Sequence, residues 1–367
     1  MKRTIAKGVL SEISEDEAHF ISPWKVVIKG EGDDRKVRPC LDVSGTLNPW
    51  TPNVPFKLGV VRDLSKLAKP RGWMAKADLG DFFYSFKIHP EHRKYFAVRD
   101  PITNKVYQFN RLPFGYKLSP LVCCGFSDLV ANQLRREGIK VIWYVDDALV
   151  IADSEAACRK GMERLRELVT ALGLQYAPHK AEGPAQRMVF LGVEISLLPG
   201  KECYRLPLDK VQKTLGEVER FLSTYQVEDE VHAMEIAQVC GKLAFAAQVI
   251  RPGAAYLRRI YDVLKGCVVN WKTGRVTCAG RERSIIISPG LIKDLSWWGQ
   301  NLELCNHSLV WPRGELKFAA HRIGGTDASD WGAGIVLERS GGREEYQIRW
   351  SRWEKCCNTS LGENYAL

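Results

Sequence analysis

Apolar and polar residues alternate in two distinct ways along the first 200 residues of this chain. From residue 22 to 115, short apolar runs such as WKVVIK (24–29) lie between prolines and glycines, which is typical of strands joined by turns. From 154 to 173, apolar residues instead recur every three or four positions: Cys158, Met162, Leu165, Val169 and Leu172. This spacing predicts an amphipathic helix, with Gly173 as its C-terminal cap.

Three further segments of the same region have informative patterns. Residues 119–138 predict a helix in which Ser119 is the N-cap, Pro120 lies in the first turn and Gly138 ends the helix. Residues 139–154, IKVIWYVDDALVIADS, predict a β-hairpin, and residues 188–197, MVFLGVEISL, predict a strand. A few helices mixed with an antiparallel sheet indicate an α+β fold.

The pattern changes near 203–208 and again near 312–322. Residues 208–227 and 233–250 have helical spacing, with little strand signal between them. Residues 322–351 predict three short strands separated by glycine turns, and residues 359–367 begin a further helix. We therefore expect three regions along the chain.

Composition and charge narrow the class of protein. The chain has 367 residues, 45% hydrophobic and 26% charged, which is typical of a soluble globular protein with two or three domains. No apolar run has the length of a membrane span, and the first residues are not typical of a signal peptide. The net charge of +10 is compatible either with simple solubility or with an anionic partner such as nucleic acid.

The 11 cysteines indicate neither a metal site nor a disulfide framework. They include the adjacent pairs Cys123–Cys124 and Cys356–Cys357, and the spacings contain no CxxC pair and no Cys/His quartet. We therefore expect reduced, mostly buried thiols in an intracellular protein, cytoplasmic or nuclear, and no structural zinc.

The candidate chemistry begins with Asp146 and Asp147, which lie side by side between strand-forming residues. Aspartate is disfavoured in such a run, and two explanations are open. The pair can form the two-residue turn of the hairpin, much as Asp33–Asp34 can form a solvated turn in GEGDDRKVR. Alternatively, together with Asp78 at the end of another strand-like run, it can bind a pair of Mg²⁺ ions for phosphoryl transfer.

The order of motifs resembles that of reverse transcriptases. Five motifs recur in sequence over roughly residues 20–200: KVRPCLDVSGTLN (36–48), ADLGDFF (77–83), LPFGYKLSP (112–120), YVDD (144–147) and FLG (190–192). More narrowly, residues 239–264 and TDASDWGAG (326–334) resemble retroelements of the tyrosine-recombinase (DIRS) type. The resemblance implies an α+β right-hand polymerase fold, with fingers and palm at 20–204, a helical thumb and connection at 205–315, and a truncated RNase H-like start at 322–367.

By this resemblance, the palm carboxylates bind two Mg²⁺ ions, or Mn²⁺ in their place. Asp78 and Asp146 would bind both ions with the help of the Leu79 carbonyl, and Asp147 would be a more peripheral third carboxylate. The structural alternative for Asp78 is a strand-end or capping residue.

The resemblance also implies a nucleotide pocket. Arg38 would bind the triphosphate through its guanidinium group, with Lys29 as a weaker candidate for the same role. The alternative for Arg38 is a solvated charge. Phe114 would pack under the nucleotide, and Lys180 would be the general acid toward pyrophosphate.

Phe83 lies five residues after Asp78, where the family places an aromatic side chain that selects deoxynucleotides. A large rigid ring there would clash with a ribose 2′-hydroxyl. The alternative is core packing, which we expect for the neighbouring Phe82 and Phe86.

Further residues are assigned to the primer and to a second domain by the same resemblance. Those assigned to the primer are Tyr144 and Val145 at its end and Phe190, Leu191 and Gly192 as a primer grip. Asp327 and Glu363 match the first two carboxylates of RNase H, while Asp330 is expected in a turn. Because the sequence stops before the later acidic residues of that fold, no RNase H activity is expected.

The function that follows is an RNA-directed and DNA-templated DNA polymerase of a retrotransposon. Its partners would be an RNA or DNA template-primer and deoxynucleoside triphosphates, with no membrane association. Two alternatives stay open at this point. One is a catalytically inactive nucleic-acid-binding remnant or domesticated protein, and the other is an RNA-synthesising polymerase, against which Phe83 argues.

Overall fold

The computed structural model describes residues 2–29, 36–56, 58–271 and 273–310, together with the backbone of the strands 322–329, 332–339 and 342–349. The described residues form eight α-helices: α1 (Lys2–Ala6), α2 (Leu64–Leu67), α3 (Ser119–Arg136), α4 (Glu155–Ala171), α5 (Leu208–Thr224), α6 (Ala233–Ala246), α7 (Arg258–Leu264) and α8 (Pro289–Asn301).

The described strands follow in two groups. The first group is β1 (Leu10–Ile13), β2 (Ile21–Ser22), β3 (Trp24–Lys29), β4 (Lys36–Leu41), β5 (Trp73–Gly80), β6 (Ala97–Arg99), β7 (Val106–Phe109), β8 (Lys140–Tyr144), β9 (Asp147–Ala152), β10 (Gln175–Tyr176), β11 (Glu182–Ala185) and β12 (Arg187–Phe190). The second group is β13 (Val193–Ser196), β14 (Cys203–Arg205), β15 (Glu230–His232), β16 (Cys267–Asn270), β17 (Arg275–Cys278), β18 (Arg281–Glu282), β19 (Ser284–Ile286), β20 (Ser308–Leu309), β21 (Arg322–Ser329), β22 (Gly332–Arg339) and β23 (Gly342–Arg349).

Two compact units account for the chain. The first unit contains Met1–Phe190 and Leu197–Pro199, and the second contains Leu191–Ser196 and Gly200–Leu367. This division does not separate fingers, palm and thumb, so the assignment of those functional regions stays a prediction.

The centre of the first unit is an antiparallel sheet of order β10–β5–β9–β8, with β11 also paired to β5. Its strands are rich in β-branched and small apolar residues, which suit a sheet that is covered by helices. Helix α3 packs on β8, and α4 packs on β5 and β9. Leu134 of α3 and Leu165 and Val169 of α4 are completely buried, and each such side chain contributes about 1.5–3 kcal/mol of hydrophobic stabilisation.

Two smaller sheets complete the first unit. Strands β1, β7, β6 and β2 form one of them, in which β2 and β6 run parallel and the other pairs are antiparallel. Strands β3 and β4 form an antiparallel hairpin. These pairings confirm the predicted short strands between residues 22 and 115.

Helices α5 to α8 dominate the described part of the second unit. The apolar face of α5 buries Val211, Val218 and Phe221. Trp298 of α8 is completely buried and lies so close to Gly253 that a Cβ atom added there would be 2.1 Å from its ring. The second unit also contains small antiparallel sheets: β13–β14–β20, β15–β19, β16–β17–β18 and β21–β22–β23.

Most predicted elements are confirmed, three details are wrong, and some strands were not predicted. Ser119 is the first residue of α3 rather than its N-cap, and its hydroxyl donates to the Pro113 carbonyl at 2.9 Å. Leu172 is 53% exposed because α4 ends at Ala171. The strand predicted over 188–197 is interrupted at Leu191 and Gly192, where φ is +48° and +74°. Strands β16 to β19 had no counterpart in the sequence prediction.

Two further observations concern the cysteines and the helices. All nine cysteines in the described part of the chain are free thiols, and five of them are buried. Among the described residues, each helix is too short or too polar to cross a membrane.

Candidate active site

The register between β5 and β9 brings two carboxylates together at one end of the central sheet. Asp78 is the direct cross-strand partner of Asp147, at the end of a ladder that begins with Trp73 opposite Ala152. The Leu79 amide donates to the Asp146 carbonyl at 2.9 Å, which ties the next residue of β5 to the hairpin turn. Residues that are far apart in sequence thus place three aspartates at one sheet end.

The hairpin turn that carries Asp146 has a constrained backbone. Tyr144 of β8 pairs with Asp147 of β9, so the turn consists of Val145 and Asp146 rather than of the two aspartates. Val145 has φ of +54°, a left-handed conformation that is rare for a β-branched residue and costs about 1–3 kcal/mol. Its carbonyl accepts hydrogen bonds from the Ser127 hydroxyl (3.2 Å) and the Trp143 indole (2.9 Å), which hold the turn in place.

The explanation of Asp146–Asp147 as a simple hairpin turn is therefore only half right. Asp146 is a turn residue, but Asp147 is already the first residue of β9 and is paired on both sides, with Asp78 and with Tyr144. The turn orders the carboxylates and does not by itself explain why they are there.

Burial and mutual repulsion both act on the carboxylates of this cluster. The pKa of Asp147 is raised to about 6, first because the side chain is partly buried and then because Asp146 and Asp78 are close. Lys76 and Lys180 partly offset this effect. Three carboxylates and two lysines therefore lie together in this cluster.

Lys180 is brought to the carboxylates by the backbone. It lies in a 3₁₀ turn, Pro178–Lys180, which is fixed by a hydrogen bond from the Ala177 amide to the Asp78 carbonyl at 3.2 Å. The Lys180 amine donates to the Asp78 carboxylate. The predicted general acid and the predicted metal ligand are therefore direct neighbours.

The donor set fits Mg²⁺ bound together with a phosphate ligand. Carboxylate oxygens are the hard ligands that Mg²⁺ prefers, and burial together with the neighbouring Asp146 and Asp78 raises the pKa of Asp147. Within the described residues, no group of three or more His, Cys, Asp or Glu side chains has the geometry of a preformed metal site. In phosphoryl-transfer sites, Mg²⁺ is usually held by one or two carboxylates together with substrate phosphates.

A second cluster is built around Phe114. The Phe83 and Phe114 rings meet edge to face with centroids 4.8 Å apart, and both side chains are half-buried. The Leu41 amide at the end of β4 donates to the Phe114 carbonyl at 2.9 Å. Gly115 follows with φ of +104°, and an added Cβ would be 2.0 Å from the Leu41 carbonyl oxygen. Only glycine allows this close approach.

The neighbouring phenylalanines behave as predicted from sequence. Phe82 is buried, and Phe86 packs against its ring with centroids 5.3 Å apart.

Arg38 lies in β4 opposite Val27, and Lys29 lies at the end of β3 opposite Lys36. The structure describes only the backbone of these two basic residues, so their role in binding triphosphate stays a prediction.

The five predicted primer contacts differ in accessibility. Tyr144 is exposed and Val145 is half-buried at the hairpin turn. Phe190 is 2% exposed, so its ring serves packing, and any contact of this segment has to come from Leu191 and Gly192. Both have positive φ, and an added Cβ at Gly192 would be 2.0 Å from the Lys210 amine.

Comparison with known proteins assigns the central part of this chain. Residues 37–195 match the family model described as reverse transcriptase (RNA-dependent DNA polymerase). Residues 37–195 are a reverse transcriptase domain. The relatives that match are retroviral: the Gag-Pol polyproteins of koala retrovirus (30% identical, 55% of this chain, 13% of the polyprotein) and avian reticuloendotheliosis virus (29%, 55% and 19%). The chain spans less than a fifth of the length of these relatives.

Solved structures confirm the right-hand polymerase fold. A foamy viral protease-reverse transcriptase in complex with double-stranded DNA matches with a TM-score of 0.65 at 15% identity, covering 99% of this chain and 57% of that one. The same viral protein in complex with an RNA/DNA hybrid matches with a TM-score of 0.62 at 15% identity, covering 100% and 44%. The narrower resemblance to DIRS-type elements stays a prediction.

The reverse transcriptase domain contains two residues whose roles the sequence prediction missed. The Asn48 side chain donates to the Gly115 carbonyl (3.1 Å) and accepts from the Lys117 amide (3.1 Å), joining the 36–48 motif to the Phe114 loop. Lys76 lies two residues before Asp78 in β5, and its positive charge lowers the pKa of Asp147. Residues two apart in a strand lie on the same face of the sheet, so the position of Lys76 relative to Asp78 could have indicated this role.

The roles assigned to Asp327 and Glu363 by resemblance to RNase H, and the turn expected at Asp330, stay predictions. Asp327 lies in β21 opposite Gly334, and only its backbone is described. Asp330 and Glu363 lie outside the described residues. The three predicted strands are confirmed as the antiparallel sheet β21–β22–β23, while the catalytic roles of Asp327 and Glu363 stay predictions.

Proposed function

We propose that this chain is an RNA-directed and DNA-templated DNA polymerase of a retroelement, which adds deoxynucleotides to a primer 3′-hydroxyl. The observation that carries the proposal is the meeting of Asp78, Asp146 and Asp147 at one end of the central sheet. A retrotransposon origin belongs to the same proposal, supported by the motif order and by the retroviral relatives.

Asp78 and Asp146, with the Leu79 carbonyl, would hold two Mg²⁺ ions, and Asp147 would be a more peripheral third carboxylate. When bound, such a pair of ions stabilises the attacking and leaving oxygens of phosphoryl transfer. The protein's own contribution is a rigid frame: the β5–β9 register fixes Asp78 and Asp147, and the hydrogen-bonded Val145 fixes the turn. A fixed frame avoids reorganisation during the reaction.

Phe83, Phe114, Arg38 and Lys180 would bind the incoming nucleotide. Phe114 supports Phe83 edge to face, so the Phe83 ring has little freedom to move away from a ribose 2′-hydroxyl. Lys180 would hold a proton near the Asp78 site and give it to the leaving pyrophosphate. Arg38 would bind the triphosphate from β4, the strand whose end is joined to Phe114.

The nucleic-acid partner is a template-primer. Two of the structural neighbours are complexes with double-stranded DNA and with an RNA/DNA hybrid, and both forms arise during copying of RNA into DNA. The net charge of +10 supports binding to the phosphate backbone. Tyr144 and Val145 would contact the primer end, and Leu191 and Gly192 would contact its backbone.

Primer extension tests this function directly. The purified chain is incubated with a labelled primer on matched RNA and DNA templates, with Mg²⁺ or with EDTA, and with deoxynucleotides or ribonucleotides. We expect Mg²⁺-dependent extension on both templates with deoxynucleotides and little with ribonucleotides. Binding of template-primer with no extension under any condition would favour the inactive remnant, and extension mainly with ribonucleotides would favour an RNA polymerase.

A further inference from the structure

An aromatic pocket lies in the first unit, apart from the carboxylates. Its cavity has a volume of about 480 Å³. The residues that line it are His19, Phe20, Leu47, Trp50 and Tyr95. Trp50 is 80% exposed at the rim of this cavity, so core packing does not explain why a tryptophan occupies this position.

The wall of this aromatic pocket is fixed, whereas Trp50 is open to solvent. The His19 ring meets the Phe20 and Tyr95 rings edge to face, with centroids 4.7 and 5.0 Å away. The His19 and Phe20 amides both donate to the Lys94 carbonyl, at 2.9 and 3.3 Å. These contacts hold the three rings in place, and the Trp50 indole lies exposed beside them.

The Trp50 turn is joined to the proposed nucleotide pocket. The Trp50 amide donates to the Leu47 carbonyl at 3.1 Å, within a short turn that contains Asn48. The Asn48 side chain bridges to Gly115 and Lys117, in the loop that presents Phe114. The aromatic pocket therefore has a fixed position relative to Phe114.

The charges around the aromatic pocket suit a polyanion. Lys94 lies over the Tyr95 ring at 5.3 Å, and the Lys117 amine contacts the Asn53 amide oxygen at 3.1 Å. In the described part of the chain, neither lysine forms an ion pair with a carboxylate. Of the acidic residues before His19, Glu15 pairs with Arg99, and Glu17 accepts a hydrogen bond from the Ser14 amide.

We propose that this aromatic pocket stacks an unpaired base of the template strand ahead of the primer end, with Trp50 as the stacking residue. The inference rests on the proposed function. A nucleobase is flat and apolar on its faces and is joined to phosphates, so it uses both the rings and the free lysines. A neutral peptide segment would use only the rings.

Binding of labelled oligonucleotides tests the proposal. The dissociation constants of the full chain are measured for a duplex with a 5′ template overhang and for the same duplex with blunt ends. Trp50→Ala should weaken binding of the overhang duplex by about tenfold, because stacking on an aromatic ring is lost. The affinity for the blunt duplex should not change, and Trp50→Phe should keep most of the wild-type affinity for the overhang duplex. Ile102→Ala, at a side chain that is 91% exposed in another turn, is the matched control.

Two results of these binding measurements would overturn the proposal. Equal affinities of wild type and Trp50→Ala for the overhang duplex would overturn the proposal, and so would an equal loss for both duplexes. In the first case, Trp50 would be left as a contact for a protein partner. Failure of the proposed function looks different, because the wild type would then fail to extend a primer whether or not Trp50 affects overhang binding.

Discussion

Two antiparallel hairpins of this protein are built from strand-forming residues but have opposite surroundings. In β8–β9, residues such as Val141 and Val150 are completely buried, and the turn holds Val145 in a left-handed conformation. In β16–β17, Val268 is 68% exposed and Trp271, in the turn, is 62% exposed. Strand-forming residues build both hairpins, but only the buried one has enough packing to hold a strained turn and adjacent carboxylates.

The difference between the two hairpins indicates which of them can hold catalytic groups in fixed positions. A site for phosphoryl transfer needs its charged groups within a fraction of an ångström of their working positions, which rigid strands provide better than exposed ribbons. Substitutions at the carboxylates and in the surrounding packing test this difference.

The largest effect is expected at the end of β5. Asp78→Asn keeps the shape of the side chain but removes charge from the cluster, so primer extension should fall by about 1,000-fold or more. Asp153→Asn is the matched control, because Asp153 follows the other end of β9 and pairs with Lys69 and Lys140. Steady-state extension rates measure both. Comparable losses in the two variants would mean that the sheet end with Asp78 has no special role.

A smaller effect is expected from the close approach at Gly115. Gly115→Ala introduces a Cβ at φ of +104° and 2.0 Å from the Leu41 carbonyl oxygen, and should lower the free energy of unfolding by about 3 kcal/mol. Gly125→Ala in α3, where nothing lies within 4 Å, should instead stabilise by about 0.5–1 kcal/mol. Urea unfolding gives both values. Stabilisation by Gly115→Ala would show that the Phe114 loop is held differently.

The two hairpins can be compared directly with a pair of valines. Val150→Ala removes completely buried methyl groups and should cost about 2 kcal/mol, whereas Val268→Ala should change stability by less than about 0.5 kcal/mol. Urea unfolding monitored by circular dichroism measures both. If Val268→Ala were as costly as Val150→Ala, the β16–β17 hairpin would be covered in solution.

The smallest effect is expected in nucleotide selection. Phe83→Ala should raise the ratio of ribonucleotide to deoxynucleotide kcat/KM by about tenfold, because space opens near the ribose 2′ position. Phe86→Ala is the control, since its ring packs against Phe82 and Phe126. It should lower stability without changing this ratio. An unchanged ratio in Phe83→Ala would assign Phe83 to packing alone.

The carboxylates could be predicted from sequence because they break a local rule. Asp146 and Asp147 lie in a run of strand-forming residues, and Asp78 ends another such run, so charge stands out against the pattern. Their juxtaposition also follows from simple strand pairing. Helix α4 was predicted from its three- and four-residue spacing, which is also a local signal, and the structure adds that Ser154 caps its first turn.

Features that depend on distant contacts were missed. Asn48 acts through the backbone of Gly115 and Lys117, and nothing in its neighbours indicates that partner. The same holds for Trp50, whose exposure depends on how the segment around His19 packs. The β16–β17 hairpin lacks the clear alternation of a half-buried strand, so its sequence gave little periodic signal.

Single-nucleotide addition by Asp146→Asn over a range of Mg²⁺ concentrations tests the central claim most directly. The account predicts that the wild type reaches saturation with Mg²⁺, whereas the variant adds no nucleotide at any Mg²⁺ concentration. The variant should still bind template-primer and unfold at the same urea concentration, because Asn preserves the shape of the turn. Near-normal addition by Asp146→Asn would contradict the assignment of the carboxylates as metal ligands.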